Sequence, residues 1–264
     1  MNTKSITLTL VIPAYNEERY LFHCLKSIKN QTIMPYEVIV VDNNSLDNTS
    51  KIAEKFNFVR VIKEEKQGIV FARNRGFNSV KSDLIGRIDA DTVLSKDWVQ
   101  KSLEIFNNNH DISAVTGKTH FYDSHFKNLT QLIHSFVYYF IQSKIARTEI
   151  LWGSNMLLRT NTWNYIKDYC NETNEVHEDI DLSLCLKKAG YNILRSNKLK
   201  AQVSLRRGEF SFSSTRNYLK NWPNSYFKHQ LYIQGLLIYI IVLLILLMGL
   251  PLFLWHFLFH KSDA

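Results

Sequence analysis

Along the first half of the chain, short apolar runs alternate with longer stretches whose apolar residues recur at helical spacing. Residues 6–12 are β-branched and apolar, which predicts a strand. In 17–30, Leu21, Leu25 and Ile28 fall on one helical face. The same rhythm continues: strand over 37–41, helix over 45–56, strand over 58–62, helix over 69–80, strand over 84–88, helix over 96–108, strand over 112–116. Repeated strand–helix alternation with short connections predicts a mostly parallel sheet sandwiched by helices. Ligands of such sheets bind beyond the carboxyl ends of the strands. After Gly117 the pattern changes. A longer apolar helix is expected over 128–146, with Leu132, Phe136, Tyr139 and Phe140 on one face, then a strand-like piece at Leu157 and Leu158. A helix over 180–189 ends at Gly190, which suits the C′ position.

The last pattern is of another kind. Residues 231–259 contain no Asp, Glu, Lys or Arg across 29 positions. A bilayer-spanning helix needs roughly 20 apolar residues, so one spanning helix, tilted or kinked at Pro251, is expected. Charge sharpens this reading. The formal net charge of +8 is local, because residues 186–229 hold ten Lys and Arg against the single acid Glu209. Bases on that flank, against a lone Lys261 beyond the run, place the body on the cytoplasmic side. Trp222, Tyr226, Phe227 and Tyr232 before the run, and Trp255 near its end, fit interfacial belts. A basic block against an apolar helix suits anionic lipid better than nucleic acid. The N-terminal residues carry no signal-peptide pattern.

Composition narrows the class further. At 45% hydrophobic and 21% charged residues the chain is globular rather than disordered. Three cysteines, Cys24, Cys170 and Cys185, form neither a disulfide framework nor a CxxC pair, which favours a reducing environment. No GxGxxG or GxxxxGK stretch supports a dinucleotide or P-loop reading.

The chemistry-bearing residues follow the predicted strands. Pro13-Ala14-Tyr15-Asn16-Glu17-Glu18 follows the first and Asp42-Asn43-Asn44-Ser45 the second. Asp89-Ala90-Asp91 follows the strand at 84–88. Each alone reads equally well as a turn or helix cap. Asp89 and Asp91, two apart at a strand end, can project to one side. Two carboxylates so placed repel unless a cation or a shared proton intervenes, and Mg²⁺ typically takes one or two carboxylates plus phosphate oxygens. Arg73 and Arg75 put cations on a helix of the same sheet, and Arg73 is the candidate for bidentate phosphate contact. A last cluster comprises Trp152-Gly153-Ser154-Asn155 and His177-Glu178-Asp179-Ile180-Asp181, with Asp179 at a helix start, where ionisation is favoured.

In order and spacing, residues 11–18, the Asp-Asn-x-Ser-x-Asp-x-Thr stretch from Asp42, Asp89-Ala90-Asp91 and residues 178–182 resemble the motifs of the family-2 glycosyltransferases. Gly153-x-Asn155 stands between the last two, and the likeness covers roughly residues 6–205. The resemblance implies a GT-A fold over 1–205, and the charge and apolar patterns above predict a basic juxtamembrane segment over 206–230 and a transmembrane helix over 231–259 after it. The resemblance implies inverting sugar transfer from a nucleotide-diphosphate-sugar donor, bound through Mg²⁺ or Mn²⁺, to an acceptor hydroxyl, and the expected membrane anchor points to a saccharide or lipid-linked acceptor near the membrane. Pro13, Ala14, Tyr15, Glu17 and Asp42 would line the base and ribose pocket. Asp89, Ala90 and Asp91 would form the DxD motif, with Asp91 first and Asp89 second as metal ligands. Asp179 would be the catalytic base, and Trp152, Gly153, Asn155 and Glu178 would shape the acceptor site. The chain departs from many relatives by lacking a metal-side histidine near Val203, where Arg206 and Arg207 stand instead and could neutralise the diphosphate. The alternative is a catalytically silent, membrane-anchored binding protein on the same fold, which the intact acid set disfavours.

Overall fold

The computed structural model describes residues 6–123, 135–204 and 212–259. One eight-stranded sheet organises the body. The first half follows the expected alternation: β1 (Leu8–Ala14), α1 (Leu21–Lys29), β2 (Glu37–Asp42), α2 (Thr49–Ala53), β3 (Val59–Lys63), α3 (Ile69–Asn78) and β4 (Leu84–Arg87). β1 pairs in parallel with both β2 and β4, and β2 with β3. The register sets Ala14 beside Asp42 and Val11 beside Arg87. The loops that leave these strands therefore gather at one sheet end.

Alternate residues of β1 feed two cores. Leu8, Leu10 and Ile12 pack with Leu25, Val40, Trp98 and Phe106 on one face. Val11 packs with Ile39, Val41, Phe77, Trp163 and Leu182 on the other. This is the period-two alternation of a strand buried on both faces.

The second half keeps the expected mostly parallel sheet but reverses two of its strands. It contains β5 (Val93–Leu94), α4 (Trp98–Asn108), β6 (Ile112–Phe121), α5 (Gln142–Ala146), β7 (Met156–Arg159), α6 (Thr160–Ile166), α7 (Glu178–Lys188) and β8 (Asn192–Val203). β7 runs antiparallel between β4 and β6, and β5 is antiparallel to β8, so the sheet is mixed. Met156, Leu157 and Leu158 are all fully buried, and a run apolar on both faces carries no information about strand direction. β8 pairs in parallel with β6 along most of its length. Its Arg195, Lys198 and Lys200 interrupt the apolar pattern that would have announced a strand. Of the helix expected over 128–146, residues 128–134 lie outside the described residues. The remainder is a π-helical turn, Ser135–Ile141, leading into α5.

Two C-terminal helices follow, α8 (Phe212–Lys228) and α9 (Tyr232–Phe259). They are not a detached appendage. Trp222 and Tyr226 of α8 and Ile238 and Val242 of α9 form a third core with Ala146, Ile150, Ile180 and Leu184. Residues of both segments thus pack onto Ile180 and Leu184 of α7. The expected membrane-spanning helix over 231–259 is not met among the described residues, where no helix is long and apolar enough to cross a membrane. Side chains beyond Leu247 lie outside the described residues, and the first turns of α9 are held against the body instead.

Candidate active site

The loops after β1 and β2 are knitted together by short polar side chains. Asn16 adopts a left-handed conformation at φ 55°, and its Oδ1 accepts from the Leu46 amide at 2.8 Å. The Glu17 amide donates to Thr49 Oγ1 at 2.7 Å, and the Asn48 amide to Glu18 Oε2 at 3.1 Å. Asp42 spends its carboxylate on its own loop, accepting from the Ser45 amide at 3.0 Å and the Ser50 hydroxyl at 2.7 Å. Asn43 continues the web toward α3. Its Nδ2 donates to the carbonyls of Glu64 and Lys66, both at 2.8 Å, while its Oδ1 accepts from the Gly68 amide.

Two cavities lie side by side over this sheet end. The first, about 400 Å³, is lined by Pro13, Ala14, Tyr15, Glu17, Asn43, Gly68, Asp89 and Ala90. The second, about 620 Å³, is lined by Arg87, Asp89, Trp152, Gly153, Glu178 and Asp179, with polar groups of α8 opposite. Asp89 and Ile69 belong to both, so Asp89 stands where the cavities meet.

A buried chain of charges underlies that junction. Arg87 Nη2 reaches Asp89 Oδ1 at 2.8 Å and Glu178 Oε1 at 3.0 Å. Arg73 Nη1 reaches Glu178 Oε2 at 3.1 Å and the Glu178 carbonyl at 2.7 Å. Gly153 makes room for this network: a Cβ there would stand 1.5 Å from Arg87 Nη1. Asp179 accepts from the Gly153 amide at 3.2 Å and from the Ile180 amide at 2.8 Å. Burial pushes the carboxyls of Glu178 and Asp179 above their ordinary range, and Arg87 opposes that push for both. Asp179 therefore carries a carboxylate of raised basicity, open to the larger cavity and fixed by two backbone donors. A general base works best with a pKa drawn toward the operating pH. His177, beside it, is pushed down by burial and hydrogen-bonds the Tyr218 carbonyl at 2.8 Å.

Most of the residues singled out from the sequence come together here: Pro13, Ala14, Tyr15, Glu17, Asp89 and Ala90 on the first cavity, and Trp152, Gly153, Glu178 and Asp179 on the second. Four do not line either cavity. Asp42 shapes its loop, as above. Asp91 is buried at the turn after β4. Arg73 is fully buried and committed to Glu178, so it positions that acid rather than facing a phosphate. Asn155 is also fully buried. Its Oδ1 accepts from Trp98 Nε1 at 2.8 Å, and its Nδ2 donates to the carbonyls of Lys118 and Leu199. It ties α4 to β6 and β8 rather than meeting an acceptor. Arg206 and Arg207 lie outside the described residues. Sequence reasoning missed Arg87 and Asn43. Arg87 had a legible signal, a lone charge in the otherwise apolar run Leu84-Ile85-Gly86-Arg87-Ile88. Asn43 had none, because an Asn after a strand reads as an ordinary turn residue.

For a divalent cation the donor set is chemically apt. Asp89 and Asp91 offer hard carboxylate oxygens, the ligands that suit Mg²⁺ and Mn²⁺, and Asp89 is one-third exposed at the cavity junction.

Comparison with known proteins agrees with this geometry. Residues 9–173 match the model of "Glycosyl transferase family 2". The putative glycosyltransferase EpsH of Bacillus subtilis is 31% identical over 121 residues, covering 44% of this chain and 35% of EpsH. The glycosyltransferase AglE of Haloferax volcanii is 26% identical over 159 residues, covering 58% of this chain and 52% of AglE. The chain thus spans about a third to a half of the length of these relatives. Among solved structures, S. aureus TarS 1–349 in complex with UDP-GlcNAc superposes with a TM-score of 0.59 at 20% identity, covering 77% of this chain and 60% of that one. The mannosyltransferase PcManGT from Pyrobaculum calidifontis, in complex with GDP-Man and Mn²⁺, gives 0.66 at 15% identity, covering 94% of this chain and 76% of that one. These structures share the fold. With the family model matching well over half of the residues, the chain belongs to glycosyl transferase family 2.

Proposed function

We propose that this protein is an inverting glycosyltransferase that moves a sugar from a nucleotide-diphosphate-sugar donor to an acceptor hydroxyl. The observation that carries the reading is the pair of adjoining cavities, joined at Asp89, with the basic Asp179 carboxylate open to the second. The nucleotide occupies the first cavity, against Pro13, Ala14, Tyr15 and Glu17. Asp91 and Asp89 are the residues that would hold Mg²⁺ or Mn²⁺, which when bound supplies positive charge against the donor diphosphate.

The acceptor occupies the second cavity. Its hydroxyl oxygen forms the new bond to the anomeric carbon as the bond from that carbon to the diphosphate oxygen breaks. The hydroxyl proton passes to the Asp179 carboxylate. One displacement with one base gives inversion. Arg87 and Arg73 hold Glu178 in place beneath the acceptor, and Arg87 tempers the raised pKa of Asp179.

We also place the enzyme at a membrane, with its body on the cytoplasmic face and its acceptor membrane-proximal. The charge-free run at 231–259 and the basic block before it support this reading. So does the apolar face that α9 turns outward, including Ile233, Leu236, Leu237, Leu243 and Leu244.

Asp179→Asn tests the catalytic assignment. It keeps the shape and removes the basicity, so turnover should fall by about 10²–10⁴-fold, the usual contribution of a general base. Donor affinity by calorimetry should stay near native. Turnover within a few-fold of native would refute the assignment, and lost donor binding would make Asp179 structural.

A further inference from the structure

On the side of α7 opposite Asp179, a second group of ligating side chains gathers that sugar transfer does not use. Asp181 is fully buried, and Cys185, one helical turn later, is nearly so, while Cys170 is half-buried. One ligand atom from each of Cys170, Asp181 and Cys185 lies within 4.8 Å of the other two. Asp181 Oδ1 accepts from Asn171 Nδ2 and from His229 Nε2, both at 2.7 Å, and Oδ2 accepts from the Asn171 amide at 3.0 Å. A carboxylate has about four lone-pair sites, so these bonds orient the group and leave capacity on Oδ2. The two thiols hydrogen-bond each other and otherwise make long contacts to backbone carbonyls, Cys170 to Ile166 at 3.6 Å and Cys185 to Tyr169 at 3.5 Å.

We propose that Cys170, Cys185 and Asp181 bind a divalent cation of the zinc class, with His229 supporting the carboxylate ligand. Two sulfurs and one oxygen are the donors such a cation prefers. A tetrahedral site with Zn–S bonds of about 2.3 Å needs ligand atoms roughly 3.5–4 Å apart, so a contraction of under about an ångström closes the set. The His229 hydrogen bond to Asp181 is the outer-shell contact that fixes a metal-bound group. Half-exposed Cys170 gives the cation its access route, and the fourth position is left to water. Binding replaces two thiol protons, which leave to the buffer.

The site staples three pieces of chain: α7, which carries Asp179 at its start, the segment after α6, and the turn between α8 and α9 that holds His229. It lies outside both cavities, so its role is to hold the C-terminal helices against the body.

The test is a cobalt titration of the reduced full-length protein, followed by zinc displacement. Thiolate ligands give Co²⁺ a near-ultraviolet charge-transfer band, and the Asp89–Asp91 pair, which has no sulfur, is silent in it. One equivalent of Co²⁺ should produce the band, and one equivalent of Zn²⁺ should abolish it. Cys170→Ser, at a half-exposed position, should weaken the band, and Cys185→Ser in addition should remove it. Cys24→Ser, in the other core, should leave it intact. His229→Gln should lower metal affinity by about 10–100-fold, the usual cost of losing an outer-shell partner. Zinc should also raise the melting temperature of the native chain by clearly more than that of the chain lacking both Cys170 and Cys185, where only the Asp89–Asp91 pair remains. The proposal is overturned if no thiolate band forms in the folded protein, if the band survives loss of both cysteines, or if peptide mapping finds a Cys170–Cys185 disulfide in protein that takes up no metal.

Discussion

Arg87 is the residue whose removal should be felt most widely. Its guanidinium is nearly inaccessible and makes two ion pairs through Nη2, to Asp89 at 2.8 Å and Glu178 at 3.0 Å. Arg87→Met keeps most of the volume and deletes the charge. Breaking a buried pair from one side typically costs about 3–5 kcal/mol, because the remaining charge is stranded. Two features place this case at the lower end, near about 3 kcal/mol. Glu178 retains Arg73 at 3.1 Å, and Asp89 is one-third exposed and can regain water. The deficit should depend on pH. Burial already raises the carboxyls of Glu178 and Asp179, and Arg87 is the chief influence lowering them, so its loss raises both further.

An acid whose folded pKa lies above its unfolded value contributes stability that is complete below the unfolded pKa and is lost as pH rises through the folded one. The Arg87→Met deficit should therefore be largest near neutrality and shrink as the solution is acidified toward the ordinary carboxylate range. The acidic limb of the turnover profile should move to higher pH in the same variant, since Asp179 must be ionised to act. Urea denaturation at several pH values measures the first effect, and steady-state rates the second. Arg87→Met combined with Glu178→Gln should not recover the loss, because the fully buried Arg73 guanidinium would then lose its own carboxylate partner. A deficit below about 1 kcal/mol, or one that does not change with pH, would refute the reasoning.

Gly153→Ala should displace the Arg87 guanidinium, since its new Cβ would lie 1.5 Å from Nη1; turnover should fall while donor affinity, measured by calorimetry, holds. Asn155→Ala strands the Trp98 indole N–H and two carbonyls, so chemical denaturation should show a loss of about 1–3 kcal/mol per stranded buried group, with the acceptor KM unchanged. Leu236→Glu with Leu243→Glu places charges on the outward face of α9, where both side chains are exposed; flotation with anionic vesicles should drop while the melting temperature stays near native.

What could be read from the sequence was what is local. The loop residues after β1, β2 and β4 announce themselves only together: each cluster alone reads as an ordinary turn or cap, and it is their succession at the strand ends of one sheet that marks a site. The parallel pairing of β1, β2, β3 and β4 follows from strand–helix alternation, since each helical crossover returns the chain in the same direction. The antiparallel β7 escaped, because Met156, Leu157 and Leu158 look alike whichever way the strand runs. Asn155 and Arg73 were assigned to ligands for a related reason. A polar side chain near a motif reads as a binding group until the protein partners that satisfy it are known, and those partners are distant: Asn155 meets Trp98 and Leu199, and Arg73 meets Glu178 across 105 positions. Burial makes the difference physical. An Arg with no solvent access must be paired or it would not be ionised there at modest cost, and its pairing with Glu178 removes it from the donor's reach. The same logic runs from Arg73 through Glu178 to Arg87 and Asp89. The charge that meets the substrate is set by the buried arginines behind it, which belong to no motif, because a row assembled from α3, β4 and α7 exists only once the sheet has brought them to one end.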